Sequence, residues 1–214
     1  MFRLTSVRQR VAAAALLVAA TVPSVLSAQN RLEFTPFVAS YYGATHLGEG
    51  NSGLFQGNPF TVDQNNAFSF GGRIILPVTA RVGIEGAFAY ALSTLSVTEE
   101  DGVAPGIDGG ISQKGNIMFG SVRAVFSPRR SNQFLLAGPA GVTRGGDDWY
   151  GGYKSDITDF GGVIGLGIRA NVTPRFRLNI TAESYLYSFN GGGTESKFQS
   201  DILISIGVPI ALSK

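Results

Sequence analysis

Val82-Gly83-Ile84-Glu85-Gly86-Ala87-Phe88-Ala89-Tyr90-Ala91-Leu92-Ser93 is the stretch whose pattern decides the fold. Val82, Ile84, Phe88, Tyr90 and Leu92 share one parity, while Gly83, Glu85, Ala87, Ala89, Ala91 and Ser93 hold the other. A strand sends successive side chains to opposite faces, so a period of two predicts a strand over about 82–96, apolar on one side and small or polar on the other.

The same pattern recurs along the chain. Phe176, Leu178, Ile180, Ala182 and Leu186 alternate with Arg177, Asn179, Thr181, Glu183, Tyr185 and Tyr187. Ile202, Ile204, Ile206, Val208, Ile210 and Leu212 alternate with Asp201, Leu203, Ser205, Gly207, Pro209 and Ala211. Five less regular segments, about 31–43, 67–78, 115–126, 133–143 and 157–170, bring the total to eight strands.

The connections supply a second signal. Those at Thr79-Ala80-Arg81, 127–132 and 171–175 are short; those at 44–66, 98–114, 144–156 and 189–200 are long and rich in Gly, Asn, Asp, Ser and Thr. Strict alternation of short turns and long loops is the pattern of an all-β, up-and-down transmembrane barrel. Large apolar residues on one parity and small or charged ones on the other put the apolar face toward lipid and the polar face into the lumen. The lumen face then carries Arg73, Arg123, Arg169 and Arg177 against Glu33, Glu85, Glu183 and Asp201. Charges in a narrow interior must be paired. The balanced set therefore predicts one charge network plugging the lumen.

Aromatic residues are expected at both membrane interfaces: Phe34, Phe126, Phe134 and Phe176 near the short turns, and Tyr42, Phe68, Phe70, Tyr90, Trp149, Tyr150, Phe160 and Phe189 near the long loops. Four prolines interrupt the pattern, since Pro cannot donate to a ladder. Pro77 is expected to end its strand and Gly138-Pro139-Ala140-Gly141 to form a bulge, with Pro36 and Pro209 near the turn-side rim.

Residues 1–28 read as a cleaved secretory leader: Arg3, Arg8 and Arg10, the apolar run Val11 to Ala20, then small residues, with cleavage after Ser27 or Ala28. Residues 29–214 form the barrel domain. Taking the leader's three Arg from 17 basic residues leaves 14 against 15 acidic ones, so a basic, nucleic-acid-binding character is not expected. The chain has no Cys, which excludes disulfides and thiolate metal sites.

At this point the sequence resembles the small outer-membrane β-barrel family that includes the OmpA transmembrane domain and OmpX. The resemblance rests on the architecture and on phrases such as Leu32-Glu33-Phe34-Thr35-Pro36-Phe37 and Asp159-Phe160-Gly161-Gly162-Val163. The last strand resembles the family's assembly signal through Ser205, Gly207, Ile210 and Leu212, although Ser213-Lys214 stands where many members end on an aromatic residue. The resemblance implies a bacterial outer-membrane location. It implies contact with outer-membrane lipids and lipopolysaccharide, and with periplasmic chaperones and the barrel-assembly machinery during export. No cofactor, metal or nucleic acid is expected, and the chain is expected to be a monomer.

Chemistry-bearing residues are sparse. His46 is the single His, with Ser40, Glu49 and Ser52 near it in sequence; a lipid-modifying enzyme would need such groups assembled into one set. Gly162-Val163-Ile164-Gly165-Leu166-Gly167 lacks the phosphate-loop order and alternates as a strand, so its glycines are expected to leave lumen space. Glu99-Glu100-Asp101 and Asp147-Asp148 read as solvated loop carboxylates. The expected function is a non-enzymatic structural or surface-interaction barrel. The alternatives are a narrow pore or small-solute channel, a lipid-modifying enzyme, and a soluble barrel with its apolar face turned inward.

Overall fold

The computed structural model of the 214-residue chain describes residues 32–51, 59–99, 111–128, 131–146, 157–173, 176–189 and 197–212. The leader, Trp149, Tyr150, Ser52, Glu100, Asp101, Asp147 and Asp148 lie outside them.

Eight long strands build the wall: β1 Glu33–Gly43, β4 Ala67–Pro77, β5 Val82–Ala91, β8 Ile117–Phe126, β9 Gln133–Arg144, β10 Ile157–Thr173, β11 Phe176–Phe189 and β12 Lys197–Gly207, the last extended by β13 Ile210–Ala211. Each pairs antiparallel with its sequence neighbour in the wall, and β12 pairs with β1 from Phe37↔Gly207 to Gly43↔Asp201. That last pairing closes the sheet. Closure satisfies every strand's ladder, a condition for backbone exposed to hydrocarbon.

The parity read from sequence sets the faces. Val82, Ile84, Phe88 and Leu92 point outward, while Gly83, Glu85, Ala89, Ala91 and Ser93 are buried inside. Val122, Leu135, Ile164 and Leu166 are all more than half exposed on the outer wall. In water such a surface would aggregate; in lipid it is the stable face. Phe34, Phe126 and Phe176 project outward near the turns, and Tyr42, Phe68, Phe70, Tyr90, Phe160 and Phe198 near the loops. Phe34 and Tyr42 are eight residues apart on β1; at about 3.3 Å per residue and a tilt of about 40°, that spans roughly 20 Å, close to the height of an outer-membrane apolar band.

Two of the expected interface aromatics face the other way. Phe134 and Phe189 are buried in the lumen. Both have the inward parity of their strands, and the inner face takes rings as well as small residues.

The prolines are accommodated without any change of register. β1 holds one register through Phe37↔Gly207 and Phe34↔Ile210, with Val208 N–H donating to the Pro36 carbonyl at 3.2 Å. Pro36 and Pro209 thus share one short interruption where β12 passes into β13. Pro77 ends β4, as expected. The expected bulge at Gly138–Gly141 is absent: Ser121↔Ala140 and Ala124↔Ala137 keep one register, and the β8–β9 ladder pauses between them. At Gly138 a Cβ would stand 2.2 Å from the Val122 carbonyl oxygen, so only glycine allows β8 to approach there.

The long connections hold structure that the sequence reading missed. β2 Gly48–Asn51, β3 Pro59–Gln64, β6 Thr94–Glu99 and β7 Ile111–Lys114 form a four-stranded sheet beyond the loop-side rim. The strand expected at 82–96 is therefore two strands, β5 and β6. Leu47, Val62, Leu95 and Ile117 are buried where this sheet meets the barrel mouth.

Candidate functional site

The inward faces converge on a lumen filled in tiers. One, toward the turn side, is a charged tetrad. Arg123 on β8 donates through Nε and Nη2 to Glu85 Oε1 on β5 at 2.8 and 2.6 Å. Its Nη1 and Nη2 also donate to Glu183 Oε2 and Oε1 on β11 at 2.8 and 3.1 Å. Arg73 on β4 donates through Nη2 to Glu183 Oε1 and to Ser205 Oγ, both at 2.6 Å. The Arg73 guanidinium lies 4.1 Å from the centre of the Phe37 ring. The Tyr185 hydroxyl donates to Glu183 Oε2 at 3.2 Å. Two arginines and two glutamates give no net charge, and the Arg123 side chain has no solvent exposure. Burying four charges is tolerable because each has an opposite partner in hydrogen-bonding geometry.

Above it lies an aromatic tier. Phe119 packs against Tyr185 with centroids 4.7 Å apart and against Tyr41 at 5.8 Å. Above that, Asp201 accepts from the Tyr41 hydroxyl at 2.8 Å, the Tyr187 hydroxyl at 2.5 Å and Arg144 Nη2 at 2.9 Å. Arg144 also donates to Tyr187 Oη and lies over the rings of Tyr187 and Phe189. Gln199 is fully buried at the loop-side mouth, where its Nε2 donates to the His46 carbonyl at 2.9 Å.

The eight lumen charges expected from sequence therefore do not form one network. Arg73, Glu85, Arg123 and Glu183 make the tetrad. Asp201 belongs to a separate cluster with Arg144, a residue the sequence reading placed in a loop. Extending the parity of Phe134, Leu136 and Val142 by one step would have put Arg144 inside. Glu33 and Arg177 pair at 2.9 Å at the turn-side mouth, both partly exposed. Arg169 bonds Ser127 Oγ at 3.0 Å and stacks on Phe134 at 4.9 Å. The glycines of β10 give room to neighbours and leave no open space: a Cβ at Gly167 would meet the Phe134 ring at 2.2 Å, and one at Gly161 would meet Tyr187 Cβ at 2.6 Å. In the last strand Ser205 and Gly207 are buried inward, while Ile210 and Leu212 face outward.

His46 pairs with Asp63 on β3, and Ser40 lies on the outward face of β1. His46 and Ser40, which the lipid-modifying alternative would need together, are thus not brought together.

A closed eight-stranded antiparallel barrel with an apolar outer wall and a buried interior salt-bridge network is the fold of the small outer-membrane β-barrels. Among solved structures it superposes on the outer membrane protein OprG of Pseudomonas aeruginosa with TM-score 0.58 and 13% identity, covering 85% of this chain and 96% of that one. It also superposes on Neisserial surface protein A with TM-score 0.53 and 13% identity, covering 85% and 97%. No family model and no curated protein matches the sequence. In this class short turns face the periplasm and long loops face outward.

Proposed function

We propose that this protein is a plugged barrel with a structural or surface-interaction role, neither a channel nor an enzyme. The observation that carries the proposal is the bridge from Glu85 through Arg123 to Glu183, which crosses the lumen between strands on opposite sides of the wall. The aromatic tier and the Asp201 cluster above it support the same reading. An ion would have to displace three layers of mutually bonded side chains. The sheet β2-β3-β6-β7 gives the outer end an ordered platform for contact with lipopolysaccharide or with another surface.

The test is conductance of the refolded protein in a planar bilayer, with folding verified by the mobility difference between unheated and boiled samples. Silence from folded protein is the expected result. Stable conductance steps would replace this reading with the narrow-pore alternative.

A further inference from the structure

We propose that the turn-side mouth of the lumen is a binding site for a phosphate group. A cavity of about 180 Å³ opens there, lined by Arg81, Arg169, Arg177, Ser127 and Glu33 among others. Its lining holds three arginines and one carboxylate residue, whereas the tetrad deeper in the lumen is balanced.

Arg169 is the central group. It is half-buried on the inward face of β10, and its orientation is fixed by Ser127 Oγ at 3.0 Å and the Phe134 ring. Among the described residues no carboxylate oxygen lies within 4.0 Å of it. A guanidinium has five N–H donors, so a held Arg169 still presents most of its fork to the cavity. Glu33 is engaged by Arg177. Along the sequence the three turn-side connections hold Arg81, Arg129, Arg130 and Arg175 and no Asp or Glu, while acidic residues gather in the long connections.

Guanidinium forks match the oxygens of phosphate, which carries up to about two negative charges and three strong acceptors. A single carboxylate would leave donors unused. The group has two possible sources, an anionic phospholipid headgroup of the membrane around the barrel or a soluble phosphate in the periplasm.

The experiment follows the arginine Nε–Hε resonances of the refolded protein in zwitterionic micelles, first on addition of inorganic phosphate and then of short-chain phosphatidylglycerol. Saturable shifts at Arg169 and Arg177, with Arg73 and Arg123 unmoved, are expected. Saturation by phosphate identifies a soluble-anion site; saturation by phosphatidylglycerol alone identifies a headgroup site. Arg177→Gln should weaken binding about tenfold, or about 1.4 kcal/mol. Arg81→Ser, in an exposed turn, should weaken it without any risk to folding. The proposal is overturned if neither ligand saturates, if sodium chloride at matched ionic strength gives the same shifts, or if both variants bind like the parent.

Discussion

Glu85 and Glu183 stand on strands that face each other across the barrel, and one guanidinium, that of Arg123, bonds both. The pair is separated by almost a hundred residues of chain, so this contact ties the two halves of the wall together only after the sheet has closed. Arg73 completes the set by reaching Glu183 from β4. The network is thus a product of barrel closure.

Glu183→Gln should be strongly destabilising. The carboxylate accepts from Arg73, Arg123 and Tyr185, and its loss leaves two buried guanidinium groups sharing Glu85. Breaking a buried pair from one side costs about 3–5 kcal/mol. Arg177→Gln, which breaks the exposed pair to Glu33, should cost less than about 1 kcal/mol. Urea unfolding in lipid vesicles measures both, and equal midpoints for Glu183→Gln and the parent would remove the tetrad from the stability account.

A cation on the outer wall should be tolerated according to depth. Val122 lies midway between outward-facing Met118 and Phe126 and is 59% exposed, which places it near mid-bilayer. Val122→Arg should cost about 2–4 kcal/mol. Ile84 pairs with Ala124, one outward step from Phe126 and so nearer the periplasmic interface. Ile84→Arg should therefore cost less, about 1–2 kcal/mol. Folded yield by heat-dependent gel mobility reads the order directly; a milder effect at Val122 would contradict the assigned depth.

The wall was legible in the sequence because parity is a local signal. Ile84 and Glu85 declare opposite faces without reference to any other strand. What the lumen does with its charges was not legible, since pairing depends on which strands lie opposite and at what height. Asp201 was placed inside by parity, but its partner Arg144 sits at a strand end where parity gives way to loop composition. Phe134 shows a second limit: a large ring on the inner face is allowed because Gly167 opposite it has no side chain. The outer sheet was missed because alternation runs on after a break of only two residues, Leu92 and Ser93; the one local sign is that the apolar parity flips, from Ile84 and Phe88 in β5 to Leu95 and Val97 in β6.

Gly167→Ala should destabilise the barrel through Phe134. The added methyl would stand 2.2 Å from the ring tip and push it from beneath Arg169. Overpacking of this kind costs about 1–3 kcal/mol. Phe134→Leu in the same chain should recover part of the loss, because the shorter side chain vacates that space. A double-mutant cycle on unfolding free energies tests the coupling, and strictly additive effects would show that the ring is not what Gly167 accommodates.

If the tiers block independently, breaking the tetrad alone should leave the barrel silent. Replacing Glu85 and Arg123 together with Ser keeps the lumen neutral and retains the Arg73–Glu183 pair, so the fold is expected to survive. Removing both partners of a buried ion pair leaves no unpaired buried charge, which is the main cost of losing one partner alone. The aromatic tier of Tyr41, Phe119 and Tyr185 remains in place above it. Adding Phe119→Ala removes the ring that links Tyr41 to Tyr185 but leaves the third tier standing, so planar-bilayer recordings should stay silent until Arg144 and Asp201 are replaced as well. Steps already present in the Ser pair would mean that the Glu85–Arg123 bridge is the whole barrier. Silence in a folded triple variant would place the remaining barrier at the Asp201–Arg144 cluster, whose Tyr41 and Tyr187 hydroxyls still close the mouth.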